Sequence, residues 1–68
     1  MHDYLSKIFE IMKDQCKYSE NRSVEIDILR KRVLARGYTE TELEDTLKDY
    51  LKNNVIMQYG SSITLLQE

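Results

Sequence analysis

Glu40, Glu42, Glu44, Asp45 and Asp49 fall within one ten-residue stretch, close enough to suggest paired carboxylates for general acid and base work. Nothing in the sequence converges on them, and a solvated acidic helix face accounts for them at lower demand. Arg30, Lys31, Arg32 and Arg36 form the opposite group, the residue types that neutralise phosphate. A nucleophile needs a base within hydrogen-bond reach, yet the single histidine, His2, stands at the terminus, where chains fray. Cys16 is the single cysteine and reads as a core residue, the usual fate of a free thiol. One cysteine and one histidine do not make a metal site. There is also no glycine-rich loop followed by lysine and serine or threonine to cradle a nucleotide phosphate. No catalytic, cofactor-binding or metal-binding residue is therefore assigned, and no cofactor is expected.

The elements that carry these groups belong to one small domain spanning residues 1–68. A chain of 68 residues buries only about 60% of the surface that its unfolded form exposes. A lone cysteine excludes an internal disulfide and points to a reducing, intracellular compartment. Apolar residues come singly or in short groups, without a membrane span or a signal pattern, so a soluble chain is expected, monomeric when isolated. The net charge of −2 argues against a protein built to coat nucleic acid.

From Asp3 to about Lys17, Leu5, Ile8, Phe9, Met12 and Cys16 share one helical face, flanked by Tyr4 and Ile11. Asp3 with Lys7, Glu10 with Lys13, and Asp14 with Lys17 are spaced as helix-surface ion pairs. After a polar loop over 18–23, Val24, Ile26 and Ile28 alternate with Glu25 and Asp27. The pattern predicts a strand over Val24 to Ile26 and a second helix from Ile28, N-capped by Asp27. Leu29 and Val33 face its core side. That helix stops at Arg36, where Gly37 can take the left-handed conformation, and Tyr38 packs inward.

Thr39 and Glu42 form a capping box that opens a third helix, with Leu43, Leu47, Tyr50 and Leu51 as its apolar stripe. It closes near Asn53 and Asn54. "VIMQYGSSITLL" then reads as a β-hairpin, its two apolar runs separated by Gly60, Ser61 and Ser62. The order α-β-α-α-β-β, mostly α within an α+β class, is that of a winged helix with a three-helix core and a small antiparallel sheet.

A winged helix normally presents the helix after the turn to DNA. Here that helix, Thr39 to Asn53, sets five acids against Lys48 and Lys52, a net −3. From Arg22 to Arg36, five basic residues against Glu25 and Asp27 give a net +3. Glu40, Glu42 and Glu44 would thus stand where phosphates approach, which disfavours groove reading by helix three. DNA contact through Arg30, Lys31, Arg32 and Arg36 with the wing remains as an alternative, weak and steeply salt-dependent. The wing tip offers only Ser61 and Ser62, where a minor-groove wing would carry a cation.

The protein-contact reading rests on Ile28, Lys31, Leu34 and Ala35, aliphatic groups among cations on helix two, with Glu42, Asp45 and Asp49 as a separate acidic surface. Ile28 supports two readings, a contact residue or the end of the strand's core face. Met57 and Tyr59 against Ile56 and Gln58 leave the same choice open for the wing.

"KIFEIMK", "RSV", "RVLARGYTETELEDTLKDYLKNNV" and the terminal hairpin together resemble the C-terminal winged-helix domain of the minichromosome maintenance (MCM) replicative helicase subunits, subunit seven most of all. The likeness is strongest from Arg32 to Val55, in "ARGYT" followed by leucine and tyrosine at helical spacing. It implies a fragment of a longer nuclear ATP-dependent DNA helicase subunit whose ATPase motifs this chain does not contain. The domain itself would be non-catalytic and would contact loading factors or neighbouring MCM subunits.

Overall fold

The computed structural model describes residues 3–66. Its elements are α1 (Asp3–Cys16), β1 (Ser23–Glu25), α2 (Ile26–Ala35), α3 (Glu40–Lys52), β2 (Ile56–Tyr59) and β3 (Ser62–Leu65), the expected order and a winged helix. The three strands form one antiparallel sheet in the order β1-β3-β2, so the last strand of the chain is the central one. Val24 lies opposite Ile63, and Ile56 opposite Leu65. These four residues present one buried face to Ile8, Met12, Cys16, Leu29, Val33 and Leu43 of the three helices. The wing is thereby settled: Ile56 points inward, while Met57 and Tyr59 are 38% and 64% exposed on the outer face.

The turn between α2 and α3 is closed at both ends by backbone chemistry. Gly37, at φ +96°, donates its amide to the Leu34 carbonyl, and the Tyr38 amide reaches the Val33 carbonyl, the double bond of a Schellman cap. The capping box follows at once, with the Glu42 amide donating to Thr39 Oγ1 (3.1 Å) and the Thr39 amide donating to Glu42 Oε1 (2.8 Å). α3 ends by the same device as α2, with Asn54 at φ +60° in place of glycine and the Val55 amide bonded to the Tyr50 carbonyl. The hairpin turn needs only Gly60 and Ser61, because Ser62 already pairs with Tyr59. Gly60, at φ +58°, stands first in that two-residue loop, where a II′ turn requires glycine.

Several details depart from the local reading of the chain. β1 and α2 both begin earlier than the alternation predicts, and Asp27 is not the N-cap. Glu25 is the capping residue, and it forms no side-chain cap. The reason is tertiary: the Ile26 amide donates to the Ser61 carbonyl at the wing turn (2.7 Å), so one free helix-start donor is satisfied by the hairpin. Asp27 lies instead in the first turn and accepts from Arg30 (2.8 Å).

Ile11 is a core residue rather than a flank, because α1 is covered on one side by the sheet and on another by α2 and α3. Lys13 lies over the Phe9 ring, 5.4 Å from its centroid, and forms no ion pair with Glu10. Asp14 and Lys17 do pair, at 3.2 Å. Thr46, absent from the predicted stripe, is fully buried. Its hydroxyl is satisfied by donating to the Glu42 carbonyl one turn back (2.8 Å).

Candidate functional site

The exposed face of α2 is set by its anchored face. Leu29 and Val33 are fully buried and hold the helix against α1 and the sheet, which turns Ile28, Lys31, Arg32 and Ala35 outward. Ile28 is 47% exposed and Leu34 40%. Ile28 is therefore a surface residue of α2 and not the end of a core-facing strand. Ile28 and Ala35, seven residues apart, lie along one line of the helix. Lys31 and Arg32, three and four residues beyond Ile28, flank that line on its two sides. Leu34 stands past Lys31.

The four cations assigned to this helix are not equivalent. The Arg30 guanidinium donates to Asp27 at 2.8 Å and to Glu40, the first residue of α3, at 3.1 Å. Arg30 is thus a latch between two helices, its charge matched by two carboxylates. Lys31, Arg32 and Arg36 are exposed and form no ion pair with any of the described residues. Arg32, Ala35 and Arg36 also wall a groove of about 580 Å³ between α2 and α1, which Lys7, Ile11 and Gln15 line from the other side and where Glu10 and Asp14 add negative charge.

The acidic surface divides in the same way. Glu42 is occupied by the capping box, so its carboxylate belongs to the start of α3. Asp45 and Asp49 lie on the α3 face toward α1, in a shallow cleft shared with Tyr4, Leu5, Lys48 and Lys52. The Tyr4 hydroxyl donates to Asp45 Oδ2 at 3.4 Å. Loss of hydration at the phenol, followed by the negative charges of Asp45 and Glu42, raises the Tyr4 pKa above its ordinary value. Two separate surfaces result, cationic and aliphatic on α2, anionic on α3.

Catalytic chemistry gains no geometry. Cys16 is buried, and that burial raises its thiol pKa against a smaller opposing effect of the Arg22 charge, so the thiolate nucleophile is disfavoured. His2 lies outside the described residues. Among the described residues, no group of three or more His, Cys, Asp and Glu side chains could hold a metal ion. No helix among them is long and apolar enough to cross a membrane.

Sequence reasoning named Ile28, Lys31, Leu34 and Ala35 on one surface and Glu42, Asp45 and Asp49 on another, without the division that pairing makes within each charged group. The Arg30–Glu40 pairing joins different helices, and its only sequence signal is opposite charge on either side of the Gly37 turn.

A family model described as "DNA replication licensing factor MCM7, winged helix" matches residues 6–66. A curated relative, "DNA replication licensing factor mcm7" of Schizosaccharomyces pombe, is 30% identical over 66 residues, which cover 90% of this chain. The chain spans only 9% of that relative's length. No solved structure matches.

Proposed function

The chain belongs to the winged-helix family of the DNA replication licensing factor MCM7, and on that premise we propose that it is a non-catalytic interaction module of an MCM-type replicative DNA helicase. It acts in the nucleus, as one domain of a longer subunit, by contacting loading factors or neighbouring MCM subunits. The observation that carries this reading is the reversal of charge across the turn. α3, the helix that would enter a major groove, is acidic, whereas α2 exposes Ile28, Leu34 and Ala35 among its cations. Aliphatic groups contribute to a protein interface and nothing to phosphate neutralisation. Ile28, Lys31, Leu34 and Ala35 form the principal contact surface, with Asp45 and Asp49 as a second one.

Chemical-shift perturbation of the labelled chain, titrated with loading factors and with adjacent helicase modules, tests the proposal. Shifts centred on α2 or on the Asp45–Asp49 surface are expected. Silence toward all of these proteins, together with strong shifts on duplex DNA, would overturn it in favour of backbone binding through Lys31, Arg32, Arg36 and the wing.

A further inference from the structure

The α2 surface has the layout of one half of a helix-helix seam. Ile28 and Ala35 occupy one line at a seven-residue interval, and the positions three and four residues after Ile28, on either side, hold Lys31 and Arg32. Counted as a heptad from Ile28, Lys31 falls on the second seam position and Arg32 on a flank, so a paired helix would meet a cation at the centre of the contact and another at its edge, and both select the partner by sign. We infer that this seam receives an acidic amphipathic helix, whose aliphatic stripe covers Ile28 and Ala35 and whose flanking carboxylates meet Lys31, Arg32 and Arg36. The inference rests on the protein-contact reading above and specifies the chemistry of the partner.

The partner's sign follows from the unmatched charge. Arg30 is neutralised by Asp27 and Glu40, but Lys31, Arg32 and Arg36 form no ion pair among the described residues, and the groove that Arg32 and Arg36 share with Lys7, Glu10 and Asp14 keeps an excess of positive charge. A helix bearing glutamate or aspartate on both sides of its stripe supplies the counter-charge, and a basic helix would be repelled. A second copy of this chain fits poorly. Its acidic helix α3 already commits Leu43, Thr46, Leu47 and Tyr50 to its own core, leaving carboxylates but no aliphatic stripe to offer. Duplex DNA would satisfy the cations and leave Ile28, Leu34 and Ala35 in water.

The test uses the full chain, labelled with ¹⁵N, and three probes. One is a helical peptide of roughly three heptads with leucines along the seam and glutamates on both flanks. The second is the same peptide with lysines at the flanks, and the third is a short DNA duplex. The glutamate peptide is expected to shift amides from Ile28 to Arg36 and to bind roughly tenfold or more tightly than the lysine peptide. A Lys31→Glu, Arg32→Glu double variant should reverse that preference without changing the circular dichroism, since neither residue has an ion pair to lose.

Equal binding of both peptides, shifts confined to α3, or a response to DNA alone would each overturn the inference. If loading factors or helicase modules shift α2 while the glutamate peptide does not, the contact surface stands and the acidic helix falls. Failure of every protein probe removes both.

Discussion

Arg30 and Glu40 are joined across the Gly37 turn at 3.1 Å, so a cation of the supposed DNA-facing cluster is held by the first residue of the next helix. The same guanidinium binds Asp27, which makes Arg30 the centre of a three-residue network spanning α2 and α3. The Arg30 side chain is 41% exposed, so water screens the network. Arg30→Ala is expected to lower stability by at most about 1 kcal/mol. Urea denaturation would measure this, and the difference from the parent chain should shrink as salt rises.

The capping box contributes more than that latch, because it satisfies orphan helix-start amides at short range. Thr39→Ala should cost about 1 kcal/mol. Glu42→Ala removes the reciprocal bond, and the double variant should cost less than the sum of the single ones, since either substitution already breaks the reciprocity. Additive losses in a thermal denaturation cycle would contradict the coupling.

Gly37 and Asn54 perform the same operation with different tolerance. A Cβ on Gly37 would meet nothing within 4 Å, so any loss in Gly37→Ala comes from the backbone at φ +96°. That loss is expected to be about 1–2 kcal/mol, visible as a lowered urea midpoint. Asn54→Gly should change stability far less, because the substitution relieves left-handed strain as it adds unfolded-state entropy. A Gly37→Ala protein as stable as the parent would show that the turn does not depend on the left-handed residue.

Thr46 is fully buried, but its hydroxyl bonds only to a carbonyl that α3 already serves through the helical amide. Thr46→Val keeps the volume and removes a polar group without orphaning the Glu42 oxygen. It should therefore fall within about 1 kcal/mol of the parent, on either side. A large loss on calorimetry would mean that the hydroxyl sets the position of α3.

Cys16 and Tyr50 make the alkaline limb of stability predictable in sign. Burial raises both pKa values, that of Tyr50 with a further push from the Asp49 charge. In each case the folded state favours the neutral form. The contribution is fully present below the unfolded pKa, ordinarily 9.0 for the thiol and 10.0 for the phenol, and is lost as pH rises through the higher folded value. Denaturation midpoints should therefore fall above about pH 9. At pH 8, alkylation of Cys16 should be slow in the native chain and accelerate sharply in urea. Prompt alkylation of the folded protein would contradict the buried thiol.

The parts of this fold that were legible in the sequence are those fixed within a few residues. Thr39 with Glu42, Gly37 after Arg36, and the Asn53–Asn54 pair each announce a helix terminus through their own backbone needs. The start of α2 was not legible, because the Ile26 amide finds its acceptor at Ser61, far along the chain, and no neighbouring residue signals that bond. Ile11 was misjudged for a related reason: a single-face stripe cannot register that α1 is covered by both the sheet and the other helices. On the α2 surface, periodicity turned Ala35 away from Leu29 and Val33 but left Ile28 between a contact residue and the end of the strand's core face. It could not separate the latched Arg30 from its unpaired neighbours, which depends on where α3 begins in space.

The strand order β1-β3-β2 also imposes a sequence of events on the newborn chain. The central strand, Ser62–Leu65, is the last of the three strands to be synthesised, and until it leaves the ribosome neither Ser23–Glu25 nor Ile56–Tyr59 has its neighbour to bond. The helices can form early, but the core face supplied by Val24, Ile56, Ile63 and Leu65 stays open to water until Ser62–Leu65 has emerged. A premature stop ahead of Ser62 would therefore leave this domain as three helices with two unpaired strands, a substrate for quality-control proteases rather than a shortened fold.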